Sequence, residues 1–323
     1  MIGILFRRLC TLVSGNFRLR TRCRLILLMA VVALLGVWSA SPALAASSSQ
    51  ARDHRLILNP ISIAPGPEMS LPEPDDGSLP GSMSHDETLG LLLPDLRTLP
   101  PYDLEIVTLP DGSRELRLSN TIWNSGAGPL ELEGEFNSET RKTRVVQHVF
   151  GQADTQFDRL VGEFIWHAGH DHWHFEEFSI YELWTLSPSG GLDELVSSSG
   201  KLSYCVIDTD IIDSEHEGFS PLKRYRGCGH TLQGLSVGWG DTYKSFLDGQ
   251  SIQLGAVRDG YYALKSTANP EGILLEANYQ NNTAFIYLDI RGEEVELLDL
   301  DEYFERRCQE SEGLIAPEVF CEV

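Results

Sequence analysis

No stretch of this chain keeps its apolar residues at helical spacing for long. Short runs that alternate apolar and polar residues are instead cut, again and again, by turn-forming clusters. Residues 103–108 alternate, Pro110-Asp111-Gly112 reverses the chain, and 115–120 lead back out. Asn124-Ser125-Gly126-Ala127-Gly128-Pro129 is a second turn, followed by Leu130-Glu131-Leu132. Further strands are expected over 178–186, which Ser187-Pro188-Ser189-Gly190-Gly191 ends, and over 251–254, 260–266, 284–290 and 294–298. The best helical candidate is 301–307, near the end. Residues two apart share one face of a strand, so such strands bury a face only against another layer. The pattern predicts a mainly β fold, a β-sandwich-like core with long loops and little helix. Asn278-Tyr279-Gln280-Asn281-Asn282 reads as one more tight turn.

That core occupies the later part of the chain, 91–323. Residues 1–45 carry six arginines and no acidic residue, then an uncharged apolar run over 25–37 and the small-residue pattern Ala43-Leu44-Ala45. This is the pattern of a secretory signal peptide, the run being short for a membrane span; an uncleaved anchor is the alternative. Residues 46–90 are rich in Ser, Pro, Gly and Asp and read as a flexible spacer. The expected location is extracytoplasmic, either secreted or in the periplasm and cell envelope, with no membrane contact once the leader is removed. The chain has 47 acidic and 25 basic residues, a net charge of -22. That balance argues against nucleic acid or an anionic membrane as partner and favours cationic ligands. Beyond Cys10 and Cys23 in the leader, Cys205, Cys228, Cys308 and Cys321 remain for an oxidising compartment. Of their three connectivities, chain order and short loops favour Cys205–Cys228 and Cys308–Cys321. A thiolate metal site is the weaker reading, since the chain has no CxxC pair.

Trp166-His167-Ala168-Gly169-His170-Asp171-His172-Trp173-His174 concentrates four of the nine histidines. On an extended strand His170, His172 and His174 would point to one face, close enough to share an ion. Neutral imidazole is the commonest metal ligand, and nitrogen donors suit copper, zinc, iron or nickel better than calcium or magnesium. A polar strand face is the plain alternative. His167 reads as a residue behind the ligands rather than a fourth ligand.

Two later segments join this one. Lys201 stands four residues before Cys205, with Asp208 and Thr209 after it, and Gln233-Gly234-Leu235-Ser236 is followed by Asp241-Thr242-Tyr243. With Glu176, Glu177, Phe178, Ser179 and Tyr181 behind the histidines, the three segments resemble, in order, those of the lysyl oxidase family, including its bacterial members. The family's copper segment has the form WHxCHxHYH followed by an acidic pair and FSxY. The likeness spans roughly 91–290. It implies a copper-dependent amine oxidase with His170, His172 and His174 as copper ligands. It also implies that Lys201 and Tyr243 cross-link into the quinone cofactor lysine tyrosylquinone. Such an enzyme turns primary amines, lysine side chains of peptides and proteins among them, into aldehydes with O2, releasing hydrogen peroxide and ammonia. Asp208 and Asp241 lie in the matching segments as candidate bases, Asp208 being preferred. Gly169 stands where animal members carry cysteine, which leaves Cys205 as the natural partner of Cys228. Ile180 replaces a histidine of the family's pattern, and His230 sits one position from the family's usual histidine.

Two other functions compete. A non-catalytic extracytoplasmic β-sandwich module holding copper or zinc would need neither Lys201 nor Tyr243. A zinc hydrolase of the HxHxDH type would need an aspartate directly before a histidine, which 170–174 does not supply at the required place.

Overall fold

The structure is a computed structural model that describes residues 90–151 and 155–311. The expected leader at 1–45 and, up to residue 89, the expected spacer at 46–90 lie outside the described residues.

The strands of the described residues form two antiparallel sheets. The ten-stranded sheet runs from Leu232–Leu235 through Leu130–Asn137, Lys142–Gly151, Gln156–His167, His172–Leu186, Gly260–Ala268 and Thr283–Arg291 to Glu294–Leu298. Leu91–Leu92 pairs beside Lys142–Gly151, and Leu192–Tyr204 beside His172–Leu186. The six-stranded sheet is organised on Arg114–Asn124, which pairs with Leu96–Thr98, Tyr102–Thr108, Trp239–Tyr243 and Ser251–Gln253. Asp210–Ile211 extends it beyond Trp239–Tyr243.

The sheets cover each other. Leu116, Leu118 and Ile252 of the smaller sheet pack with Tyr181, Leu183, Leu264 and Leu288 of the larger. Ile122 and Tyr243 pack with Leu130, Val145, Phe164 and Phe175 in a second cluster. The fold is mainly β, with a core between two sheets, as the alternation predicts. The one α-helix among the described residues, Leu300–Ser311, begins with a reciprocal cap: Glu302 N donates to Asp299 Oδ1, and Asp299 N to Glu302 Oε2. Among the described residues, no helix is long and apolar enough to cross a membrane.

One strand sets the position of the site. His172–Leu186 begins as the second arm of a hairpin with Gln156–His167, His167 opposite His172 and Trp166 opposite Trp173. At Phe175 its neighbour changes. That residue pairs with Phe164 of the first arm and also with Tyr204, at the end of Leu192–Tyr204. Glu177, at φ 55°, lies where the register slips between Phe175 and Ser179. The chain leaving Tyr204 therefore emerges directly beside the histidine hairpin.

Candidate metal centre

The histidines do not line up along one strand. Residues 168–171 form the hairpin turn, with Asp171 in the left-handed region at φ 58°, and only His172 and His174 are on the second arm. The turn folds His170 back over the strand pair. Its ring centroid lies 4.4 Å from that of His167, 5.0 Å from His174 and 5.5 Å from His172. His167 stacks on His174 at 4.6 Å, and His172 lies 4.8 Å from His174. All four imidazoles thus form one cluster. His167, His170 and His174 each offer a nitrogen, the three lying within 4.8 Å of one another, so His167 joins the group directly.

The donor set fits a transition metal. His167 Nδ1, His170 Nε2 and His172 Nε2 are buried without a hydrogen-bond partner, a costly state for polar atoms unless something else binds them. Burial, followed by repulsion from neighbouring imidazoles, lowers the pKa of His170 and His172. The same causes take His174 down to about 3. For His170, His172 and His174 this favours the neutral base, the form that ligates. His174 Nδ1 lies 3.2 Å from Ser203 Oγ, which leaves its Nε2 toward the cluster, 3.2 Å from His170 Nδ1.

Tyr243 forms the inner wall. Its ring centroid is 6.2 Å from those of both His170 and His174. On its other side it stacks on Tyr204 at 4.0 Å. The Cys205 amide donates to Tyr243 Oη at 2.7 Å. Burial, and then the charge of Asp241, pushes its phenol well above the ordinary range. Tyr204, its own phenol pushed up to about 12 by burial, is hydrogen-bonded to Tyr181, which donates to Gln250.

Lys201 lies elsewhere. It is exposed, and its Nζ pairs with Glu271 Oε1 at 3.1 Å and Glu177 Oε1 at 3.2 Å. The bonds to Glu271 and then Glu177 raise its pKa. The expected copper ligands and Tyr243 are thus brought together, whereas Lys201 is held by carboxylates on the solvent side.

The two aspartates also differ. Asp208 has both oxygens filled, accepting from Arg224 N, Tyr225 N, Ser236 N and Ser236 Oγ between 2.8 and 3.1 Å. It braces a loop. Asp241 is fully buried two residues before Tyr243, and neither of its oxygens has a well-formed hydrogen bond. Burial holds its carboxyl well above the usual range, against a weaker pull from the Ile207 amide.

The three segments are wired together by a residue whose role the sequence did not disclose. Gln233 accepts from Val206 N and donates to the carbonyls of Trp173 and Gly229. Gly234 is required beside it, because a Cβ there would meet Leu130 O at 2.2 Å. The expected Cys205–Cys228 disulfide is present, closing the same corner. Cys321, the other end of the second expected bridge, lies outside the described residues. His230 packs on Trp173 and Phe136, away from the cluster.

A two-sheet β fold with a four-imidazole hairpin against a buried tyrosine defines a class of β protein whose histidine cluster could hold a metal ion. Comparison with known proteins makes the class specific. The family profile described as lysyl oxidase matches residues 113–299, more than half of the chain. The chain belongs to the lysyl oxidase family. It is 38% identical over 133 residues to human lysyl oxidase homolog 1, covering 41% of this chain and 21% of that protein. It is 36% identical over 151 residues to chicken protein-lysine 6-oxidase, covering 46% and 33%. Against the pig protein-lysine 6-oxidase it is 36% identical over 142 residues, covering 43% and 53%. The chain thus spans between about a fifth and a half of the length of these relatives.

Proposed function

We propose that this chain is an extracytoplasmic copper-dependent amine oxidase. It acts on primary amines, including lysine side chains of peptides or proteins, and yields aldehyde, ammonia and hydrogen peroxide with O2 as oxidant. Residues 91–323 are its catalytic domain, behind a signal peptide at 1–45 and a spacer at 46–90. The observation that carries the reading is Tyr243, a buried phenol 6.2 Å, ring to ring, from two imidazoles of a cluster with orphaned nitrogens. A chain that only stored metal would have no use for an oxidisable ring there.

His170, His172 and His174 hold copper in this reading, with His167 close enough to take a place among them. Copper and lysine tyrosylquinone supply the oxidising power and the carbonyl electrophile that amine oxidation needs. The chain's own residues do the rest. Tyr204 and the Cys205 amide fix the plane and the oxygen of Tyr243. Lys201 provides the amine for the cross-link and must leave Glu177 and Glu271 to do so. Asp241, whose oxygens have no well-formed hydrogen bond, suits proton transfer beside Tyr243 better than Asp208, whose oxygens are filled.

The exposure of Lys201 favours one second reading, a copper- or zinc-binding module in which the cross-link never forms. Copper content, visible absorbance before and after phenylhydrazine, and peroxide release from a simple diamine decide between them. The enzyme binds copper, shows a phenylhydrazine-sensitive band and releases peroxide. Lys201→Ala and Tyr243→Phe keep the copper and lose the band and the peroxide. Copper binding with neither band nor peroxide in the unaltered chain would leave only the module.

A further inference from the structure

The disulfide lies close to one of the histidines. One nitrogen of His172 and the sulfurs of Cys205 and Cys228 all lie within 4.8 Å of one another. His172 Nε2 is buried with no hydrogen-bond partner, so no bond through that nitrogen ties the imidazole to another group. Two donors about 2.3 Å from one tetrahedral ion stand roughly 3.8 Å apart, so such spacings need only a small adjustment to enclose a cation.

The two cysteines are also held in place by bonds that do not involve sulfur. Cys205 N donates to Tyr243 Oη, and its neighbour Val206 N donates to Gln233 Oε1. Cys228 O accepts from Trp173 N at 3.0 Å, tying that loop to the histidine strand itself. Gln233 donates to both Trp173 O and Gly229 O across the same corner. Opening the bridge would leave both sulfurs beside His172.

We infer that the reduced chain has a second metal site, formed by Cys205, Cys228 and His172, for a soft or borderline cation such as Cu(I) or Zn(II), and that the disulfide closes it. In the bridged state the sulfurs are bonded to each other and are poor donors. A dithiol or phosphine reductant supplies two electrons and is itself oxidised. The S–S bond breaks, two protons are taken up and two thiols result. Cation binding releases those protons and leaves an S,S,N donor set, which favours Cu(I) and Zn(II) over hard ions. His172 cannot serve both sites at once. The bridge therefore decides whether that imidazole belongs to the thiolates or to His167, His170 and His174. The inference concerns metal binding alone and stands or falls separately from amine oxidation.

The experiment uses the full chain, metal-free, either oxidised or reduced with a phosphine under argon. Co(II) is the spectroscopic probe, and Cu(I) is titrated against a chromophoric chelator. Reduced protein should show a thiolate-to-cobalt charge-transfer band and bind one more equivalent of Cu(I) than oxidised protein. Cys228→Ser, in the reduced state, should lose the band and that equivalent. His172→Ala should keep both cysteines and weaken Cu(I) binding at the thiolates by more than about tenfold, since losing a ligand costs at least what losing a supporting partner does. Far-UV circular dichroism on the same samples, with the Cys205→Ser/Cys228→Ser double variant, reports whether the sheet survives without the bridge. Absence of the band in folded, reduced protein would overturn the inference, as would its persistence in Cys228→Ser. Loss of the β spectrum on reduction would overturn it too, because the site needs the sheet to hold the sulfurs together.

Discussion

Lys201 and Tyr243 occupy opposite environments, and their difference predicts how a cross-link would be controlled. The phenol is buried and stacked, while the ammonium is solvated and paired to Glu271 and Glu177. An amine must shed its proton to attack a quinone carbon, and both carboxylates stabilise the protonated form. The double variant Glu177→Gln/Glu271→Gln should therefore speed growth of the quinone band after copper is added to metal-free protein. The gain should reach about tenfold for each unit by which the lysine pKa falls. An unchanged rate would mean that freeing Lys201 does not limit the step. The imidazoles give a second prediction at this scale. His170, His172 and His174 all have lowered pKa values, so protons compete with copper only at a pH below the ordinary histidine value of about 6.5. Copper affinity should change little between pH 7.5 and about 6, where that of a histidine-rich peptide already falls. A chelator titration at both pH values checks this, and a matching decline in the protein would contradict it.

The hairpin is the element that converts sequence spacing into a site, and its turn is its weak point. Asp171 adopts φ 58°, which aspartate tolerates and β-branched residues do not. Asp171→Val should cost roughly 1–2 kcal/mol in a urea melt and weaken copper binding by displacing His170, whereas Asp171→Gly should be close to neutral. Equal behaviour of the two variants would show that the turn conformation does not matter. The same turn marks where sequence reasoning stopped short. Alternation in 170–174 points to a single strand face, yet Gly169 and Asp171 permit a turn there, and the turn brings His167 in with His170. Strands with apolar alternation were legible, as Glu294–Leu298 and Tyr102–Thr108 illustrate. Leu192–Tyr204 was not, because its Ser- and Gly-rich, mostly exposed sequence is made a strand by pairing with His172–Leu186 rather than by its own pattern. The three motifs were legible one by one. Gln233, which joins them, was not, because a buried glutamine is identified by its three partners and these lie far apart in sequence.

At the scale of the whole molecule, the two sheets are joined by a buried carboxylate, and it should give stability a distinctive pH dependence. Glu276 Oε2 accepts from Leu96 N of the smaller sheet. Its Oε1 accepts from Asn269 and Asn282, which flank strands of the larger sheet. Burial pushes its pKa up to about 7, against the three donors, which favour the charged form. Between the unfolded value of 4.5 and about 7 the folded chain keeps a proton that the unfolded chain releases. The contribution is therefore fully present below pH 4.5 and is lost as pH rises through 7, on the order of 3 kcal/mol at about 1.4 kcal/mol per unit. His174 acts in the opposite direction. Its folded pKa of about 3 makes stability rise with pH up to the unfolded value of 6.5, so a pH series on the unaltered protein mixes the two effects. Glu276→Gln separates them, because glutamine does not titrate and leaves His174 in place. The variant should be less stable throughout its acid range, since its amide NH2 must face one of the donors, at a cost of about 1–3 kcal/mol. Its deficit relative to the unaltered chain should be largest near pH 5 and should shrink by pH 8. Urea unfolding at both pH values measures this, and a deficit that stays constant or grows with pH would mean that Glu276 is already ionised in the folded protein at pH 5.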